Sequence, residues 1–184
     1  MTEKPYNPHD YPPFAVTVDV VILTMVKKTL KILLIQRGQG PFRDAWALPG
    51  GFVLPDEDLG DAALRELKEE TNISDDAIHL EQLGTYGSPE RDPRMRVVTV
   101  AYWAIVPNLD KPIGGGDARH AEVVPVAEIE SGRLRLAFDH EQILIDAIER
   151  MRSKMEYTNV ATNFFEDSFT VSEFRSAYEA AWDT

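Results

Sequence analysis

Apolar and polar residues repeat with two periods along this chain, and the changes between them mark out its elements. From Phe14 the run AVTVDVVILTMV, the polar break Lys27-Lys28-Thr29 and the run LKILLIQR are dense in Val, Ile and Leu. Two such runs around a short polar break predict a long antiparallel hairpin. Residues 38–44 (GQGPFRD) form a Gly/Pro loop that leads into the short apolar segment AWALPGGF, where Trp46 is expected in the core. A helix is predicted over residues 58–71, with Ala62, Ala63, Leu64 and Leu67 as an apolar stripe against a sheet and acidic residues at its start. Residues 78–88 read as a strand, 89–96 (PERDPRMR) as a charged turn, and 97–106 (VVTVAYWAIV) as a buried strand. Residues 108–122 read as a Gly-rich loop, and 122–129 (EVVPVAEI) as a short strand running into a short helix. Residues 139–155 carry a helical period, with Ile143, Leu144, Ala147, Ile148 and Met151 on one side and Asp139 as N-cap. This helix is expected to close one face of the sheet.

The two ends differ from this middle. Residues 1–13 (MTEKPYNPHDYPP) are Pro-rich and polar and read as an extended arm, in which His9 has no assigned role. After residue 155 comes one short apolar segment and then a helix started by Thr170 or Ser172, with Phe174, Ala177, Tyr178 and Ala181 as its stripe. So small a unit buries little by itself, so it is either an incomplete second domain or packs on the first.

The most informative chemistry lies in residues 51–73, GFVLPDEDLGDAALRELKEETNI. Glu66, Glu69 and Glu70 stand at i, i+3 and i+4 and share one helix face, with Glu57 in the loop before it. Clustered like charges repel unless a cation sits against them. The set therefore reads either as an oxygen-rich site for Mg²⁺ or Mn²⁺ or as an acidic, solvated helix face. Arg65 stands beside the cluster to hold Glu57 or a helix Glu in place.

Composition narrows the partners. The 184 residues carry a formal charge of −12, which disfavours a general nucleic-acid surface and suits a protein that gathers cations. With no cysteine, neither a disulfide framework nor a thiolate zinc site is available. No long apolar run or leader pattern occurs, so a cytoplasmic protein without membrane contact is expected.

The spacing Gly51, five residues, Glu57, seven residues, Arg65-Glu66-Leu67-x-Glu69-Glu70-x-Asn72-Ile73 resembles the Nudix box. Only the final Gly of that signature differs, being Asn72, the next residue most tolerant of a left-handed helix end. The stretches YPPFAVTVDVVILT, RGQGPFRDAWALPGGFV, EQLGTYGSPERDPR and LAFDHEQIL resemble one Nudix subgroup. It holds ADP-ribose pyrophosphatases and the Nudix-related transcriptional regulators of NAD metabolism. The resemblance implies an α/β (α+β) Nudix fold, a mixed β-sheet sandwiched between helices. It divides the chain into an arm (1–13), a Nudix domain (14–155) and a partial winged-helix-like segment (156–184). A recognition helix and wing would follow in the regulators, so the chain is either truncated or a hydrolase keeping a remnant.

The resemblance also implies roles. Glu69 and Glu70, then Glu66, with Glu57 completing the shell, would bind the metal together with a backbone carbonyl of Gly50 or Gly51. Arg65, Glu69, Glu70 and Glu122 are the catalytic candidates, the general base coming from Asp117, Glu122 or, failing these, Glu70. Arg43, Arg91, Arg96 and His140 are candidates for the substrate, with Arg94 a further cation in the same loop. For the three arginines of the 89–96 turn, solvated loop charge is the competing reading, and for His140 a structural role at a helix start. Two function classes follow. One is a Mg²⁺-dependent hydrolase cleaving a nucleoside diphosphate derivative, with ADP-ribose the best guess. The other is an ADP-ribose-sensing transcriptional regulator that touches DNA only if the full protein holds a recognition helix. A homodimer is expected from the apolar first hairpin and the Pro-rich arm.

Overall fold

The computed structural model describes residues 7–71, 73, 78, 80–107, 109, 118–166 and 168–182. Asn72 and Asp117, both singled out above, lie outside these residues.

The expected hairpin forms from β1 (Ala15–Val26) and β2 (Thr29–Arg37), in the register Leu23↔Ile32 to Val26↔Thr29. Its two-residue turn puts Lys27 at φ 49° and Lys28 at φ 63°. Paired left-handed residues match the right-handed twist of the flanking strands, a position that usually selects Asn-Gly. Here two lysines accept that conformation. β1 is the centre of the sheet. It runs parallel to the whole of β6 (Val97–Ile105), from Ala15↔Val97 to Leu23↔Ile105, and Thr17, Val18 and Asp19 pair antiparallel with β4 (Gly50–Phe52). β2 is flanked by β3 (Trp46–Ala47) and β7 (Ala118–Pro125), and β5 (Glu81–Tyr86) lies outside β6, giving a mixed seven-stranded sheet.

Both faces of this sheet are covered, which explains the unbroken apolar runs. Val18, Val20 and Ile22 of β1, with Leu33 and Ile35 of β2, pack beneath Ala62, Ala63 and Leu67 of α1 (Leu59–Thr71). Their neighbours Val21, Leu23, Ile32 and Leu34 face the other way, onto Ile143, Leu144, Ala147, Ile148 and Met151 of α3 (His140–Tyr157). The short α2 (Val126–Glu130) adds Val126 and Ile129 to the α3 side. A sheet sandwiched between helices is therefore what the chain builds.

The last part of the chain packs on this domain. Ala161 and Phe164 of a 3-10 turn (Val160–Phe164) and Ala177 and Ala181 of α4 (Val171–Trp182) join the α3-side core. The Tyr178 hydroxyl donates to the Met155 carbonyl at 2.8 Å, and Arg152 Nε donates to the Ala181 carbonyl at 2.6 Å. Thr170 and Glu173 cap α4 reciprocally: Thr170 N–H donates to Glu173 Oε2 (2.7 Å) and Glu173 N–H to Thr170 Oγ1 (3.2 Å).

Four local expectations change. Leu64 is 41% exposed, because the buried stripe of α1 runs through Ala63 and Leu67 and turns Leu64 outward. Asp139 makes no side-chain cap, since its carboxylate is taken by Arg91. β7 begins at Ala118, four residues earlier than its apolar pattern, because the register with β2 carries the pairing on to Arg37. Trp46 is half-buried on the short β3 rather than in the centre of the core.

Candidate active site

The segment between β3 and α1 is positioned by β1. Gly50 pairs with Asp19 and Gly51 with Val18, and the Pro49 carbonyl accepts Val20 N–H at 2.8 Å. Neighbouring protein atoms crowd both places, backbone at Gly50 and the end of the Glu66 side chain at Gly51. A Cβ on Gly50 would sit 2.2 Å from the Val18 carbonyl oxygen, and one on Gly51 would sit 2.3 Å from Glu66 Oε1. The glycines thus let the strand lie directly against the carboxylate face of α1.

Two of these carboxylates are held by backbone. Gly50 N–H donates to Glu70 Oε2 at 2.8 Å, and Leu54 N–H to Glu57 Oε1 at 2.7 Å. Arg65 joins the others. Its guanidinium grips both oxygens of Glu57 (2.9 and 2.6 Å), reaches Glu66 at 2.7 Å and Glu69 at 3.4 Å, and donates to the Phe52 carbonyl at 3.1 Å. These bonds decide the charge states. The Arg65 guanidinium, with help from Leu54 N–H, draws the Glu57 carboxyl down to about 2. Burial pushes Glu66 up against the pull of Arg65. Burial also pushes Glu70 up to about 8, opposed by Gly50 N–H and reinforced by the nearby charges of Glu66 and Asp19.

Glu66, Glu69, Glu70 and Arg65 form one wall of a cleft of about 490 Å³ that also includes Gly50, Gly51, Phe52, Arg37 and Arg94. The two further arginines are braced. Arg37 Nε donates to the Pro41 carbonyl at 2.9 Å and its guanidinium lies 4.7 Å from the Phe138 ring centre. Arg94 makes paired bonds to Asp92 (3.0 and 2.7 Å) and stacks on Phe52 at 5.3 Å. Burial and the neighbouring Arg94 lower the Arg37 pKa, so this cation lies in a place that favours an anionic ligand. Phe138, beneath Arg37, has φ 55°, and its edge-to-face partner Phe42 has φ 60° at 4.8 Å between ring centres. Bulky residues seldom adopt that backbone, and strain of this kind collects at functional sites.

The structure gathers some of the residues singled out in the sequence and separates others. Glu57, Arg65, Glu66, Glu69, Glu70 and Gly50 come together. Arg43 is exposed and donates to the Gly38 carbonyl, outside the cleft lining. Arg91 is not solvated loop charge: it is 8% exposed and bonded to Asp19 and Asp139. Arg96 stacks on Phe14 and donates to the Ser88 carbonyl. His140 is buried, its pKa lowered first by desolvation, and it accepts Leu48 N–H at 2.9 Å. Glu122 is exposed and opposite Leu34, and paired residues share a sheet face. Since Leu34 faces α3, Glu122 stands on the side away from α1. Arg37 was missed altogether. It ends the run LKILLIQR, and nothing in the spacing separates it from an ordinary strand-end charge.

Among the described residues, no three acidic or histidine side chains converge closely enough to hold a metal ion in their present rotamers. The donor set still fits a hard divalent cation. It is made only of carboxylate and backbone oxygen, and burial has raised two carboxylates beside each other that a cation would relieve. No described helix is long and apolar enough to cross a membrane.

A mixed sheet between helices, with a box of glutamates spaced along α1 and lining a cleft, defines the Nudix hydrolase class. The chain belongs to the NUDIX domain family, which matches residues 13–147. It is 38% identical over 176 residues to the ADPR responsive transcriptional repressor NtrR of Acinetobacter baylyi, covering 95% of this chain and 69% of that one. It is 40% identical over 143 residues to an ADP-ribose pyrophosphatase of Methanocaldococcus jannaschii, covering 78% of this chain and 77% of the relative. A crystal structure of a MutT/nudix family protein from Enterococcus faecalis superposes with a TM-score of 0.85 at 34% identity, over 100% of this chain and 78% of that one.

Proposed function

We propose that this protein is a Mg²⁺- or Mn²⁺-dependent pyrophosphohydrolase that cleaves ADP-ribose to AMP and ribose 5-phosphate. The observation that carries the reading is the complete carboxylate set of α1 lining one cleft together with Arg37 and Arg94. Glu66, Glu69 and Glu70, with a Gly50 carbonyl, would hold the cation, and Arg65 keeps Glu57 and Glu66 in place. When bound, a divalent cation neutralises diphosphate oxygens and lowers the pKa of the attacking water. Arg37 and Arg94 oppose the remaining phosphate charge, a task assigned above to Arg43, Arg91 and Arg96. Water adds to one phosphorus as the bridging P–O bond breaks, and the water proton passes to Glu70, since Glu122 stands on the other face of the sheet.

The match to an ADPR responsive repressor over 95% of the chain favours a second reading, a sensor using the same pocket, in which residues 156–184 begin a winged-helix-like unit and DNA is met only if the full protein holds a recognition helix. A panel of nucleoside diphosphate derivatives with Mg²⁺ separates the two. Turnover with ADP-ribose preferred supports the hydrolase, whereas tight ADP-ribose binding without turnover of any compound supports the sensor alone.

Tyr11, Phe14, Val16, Phe52, Leu54 and Met95 are all exposed apolar residues around the start of β1 and its partner β4. They fit the expected homodimer of a cytoplasmic protein. Light scattering at micromolar concentration should return twice the chain mass, and a monomer there overturns the dimer.

A further inference from the structure

A chain of buried polar contacts ends at the carboxylate site without any of its inner members lining the main cleft. His140, Asp19 and Arg91 are 3%, 6% and 8% exposed. Leu48 N–H donates to His140 Nδ1 at 2.9 Å. A neutral imidazole that accepts at Nδ1 carries its hydrogen on Nε2, and that atom faces Asp19 Oδ1 at 3.4 Å. The other Asp19 oxygen accepts from Arg91 at 3.2 Å, and Arg91 also holds both oxygens of Asp139 at 2.9 and 2.7 Å. Asp19 and Arg91 therefore fix the ring from behind, while α3 fixes it from its own backbone.

What the ring fixes in turn is a very short stretch. Leu48 is followed by Pro49, whose carbonyl accepts Val20 N–H at 2.8 Å, and then by Gly50, whose N–H holds Glu70 at 2.8 Å. With Leu48 tied to His140 and Pro49 to β1, Gly50 has one place to stand. Gly50 lies so close to β1 that even a Cβ there would meet the Val18 carbonyl at 2.2 Å.

We propose that His140 is a positioning residue for the carboxylate site, acting through Leu48 N–H to set Gly50 and, through Gly50, the metal-binding orientation of Glu70. This rests on the metal-binding reading above. The role belongs to Nδ1, so the two amide residues divide it. An Asn at 140 places its oxygen where Nδ1 lies and keeps the Leu48 bond. A Gln places its amide where Nε2 lies, keeps the Asp19 contact and leaves Leu48 N–H unpaired.

The test is Mn²⁺ binding to the substrate-free protein, followed by the electron paramagnetic resonance signal of free Mn²⁺ well below each variant's unfolding midpoint. His140→Gln and His140→Leu should bind Mn²⁺ about 10- to 100-fold more weakly, the range for losing a partner that orients a metal ligand. His140→Asn should stay within about threefold of wild type, because it restores the bond that matters. In turnover, Gln and Leu should lower kcat with little change in KM. A packing role predicts the reverse order, with Leu filling the space best and Asn leaving the largest gap. That order, equal effects of Asn and Gln, or a wild type that binds no Mn²⁺ overturns the proposal. The Asn and Gln pair decides the matter even where Leu fails to fold. A wild type that shows the expected Mn²⁺ ranking but hydrolyses none of the panel defeats the hydrolase reading alone.

Discussion

Glu70→Gln should lower turnover of the preferred diphosphate substrate by about 10³-fold, inside the range for removing a general base, while the metal-free protein becomes more stable. The two effects share one cause. Glu70 is 7% exposed, and burial beside Glu66 and Asp19 pushes its carboxyl up to about 8. The folded state therefore keeps a proton that the unfolded chain has released from about its ordinary carboxylate range upward. Stability falls wherever the folded state binds more protons. This carboxyl thus costs stability progressively as pH rises from about 5 to about 8, and nothing below the unfolded pKa. Gln keeps the oxygen that accepts Gly50 N–H and removes the titration. Thermal midpoints measured with a chelator across that window should converge at the acid end, with the variant increasingly above wild type toward pH 8. Parallel profiles would mean that Glu70 is not a strained buried acid, and unchanged turnover would remove it from the chemistry. A group that weakens the fold and carries the reaction is the expected trade between stability and activity.

The second large effect comes from adding a single methyl group. Gly51→Ala puts a Cβ 2.3 Å from Glu66 Oε1, and the atom it meets is the far end of a flexible side chain. The carboxylate can swing aside, so the fold survives while the metal site loses a correctly placed oxygen. Turnover should drop about 10- to 100-fold, the usual cost of disturbing a metal-ligand arrangement, with a small change in thermal midpoint. Gly50→Ala is the contrast. Its Cβ meets the Val18 carbonyl at 2.2 Å, which is backbone in the central strand. It cannot be accommodated without breaking the β1–β4 pairing. Gly50→Ala should therefore lose stability and activity together, and Gly51→Ala activity alone. If Gly51→Ala unfolds as easily as Gly50→Ala, the flexible end of Glu66 is not what yields. Differential scanning calorimetry beside steady-state rates separates the cases.

Much of this molecule is decided within short stretches of chain. A two-residue turn between branched apolar runs can only close a hairpin. The i, i+3, i+4 spacing of Glu66, Glu69 and Glu70 puts three acids on one side of whatever helix they occupy, and the Thr170–Glu173 pair caps α4 by itself. Period and capping act over at most a few residues, so the chain carries them in full view. That locality also reaches Arg65, which finds Glu57 and two neighbours on its own helix.

Tertiary structure alone decides which cations and bases stand at those acids. Arg37, Arg43, Arg91, Arg94 and Arg96 look alike as charges in loops or strand ends. Pairing then buries Arg91 between Asp19 and Asp139, lays Arg96 on Phe14, leaves Arg43 outside and brings Arg37 and Arg94 into the cleft. Glu122 is an acid near a loop until the β2–β7 register turns it to the α3 side. His140 meets Leu48 across 92 positions. No local rule links residues so far apart. Strand register and the packing of α3 against β1 set those distances, and both are properties of the folded chain rather than of any segment of it.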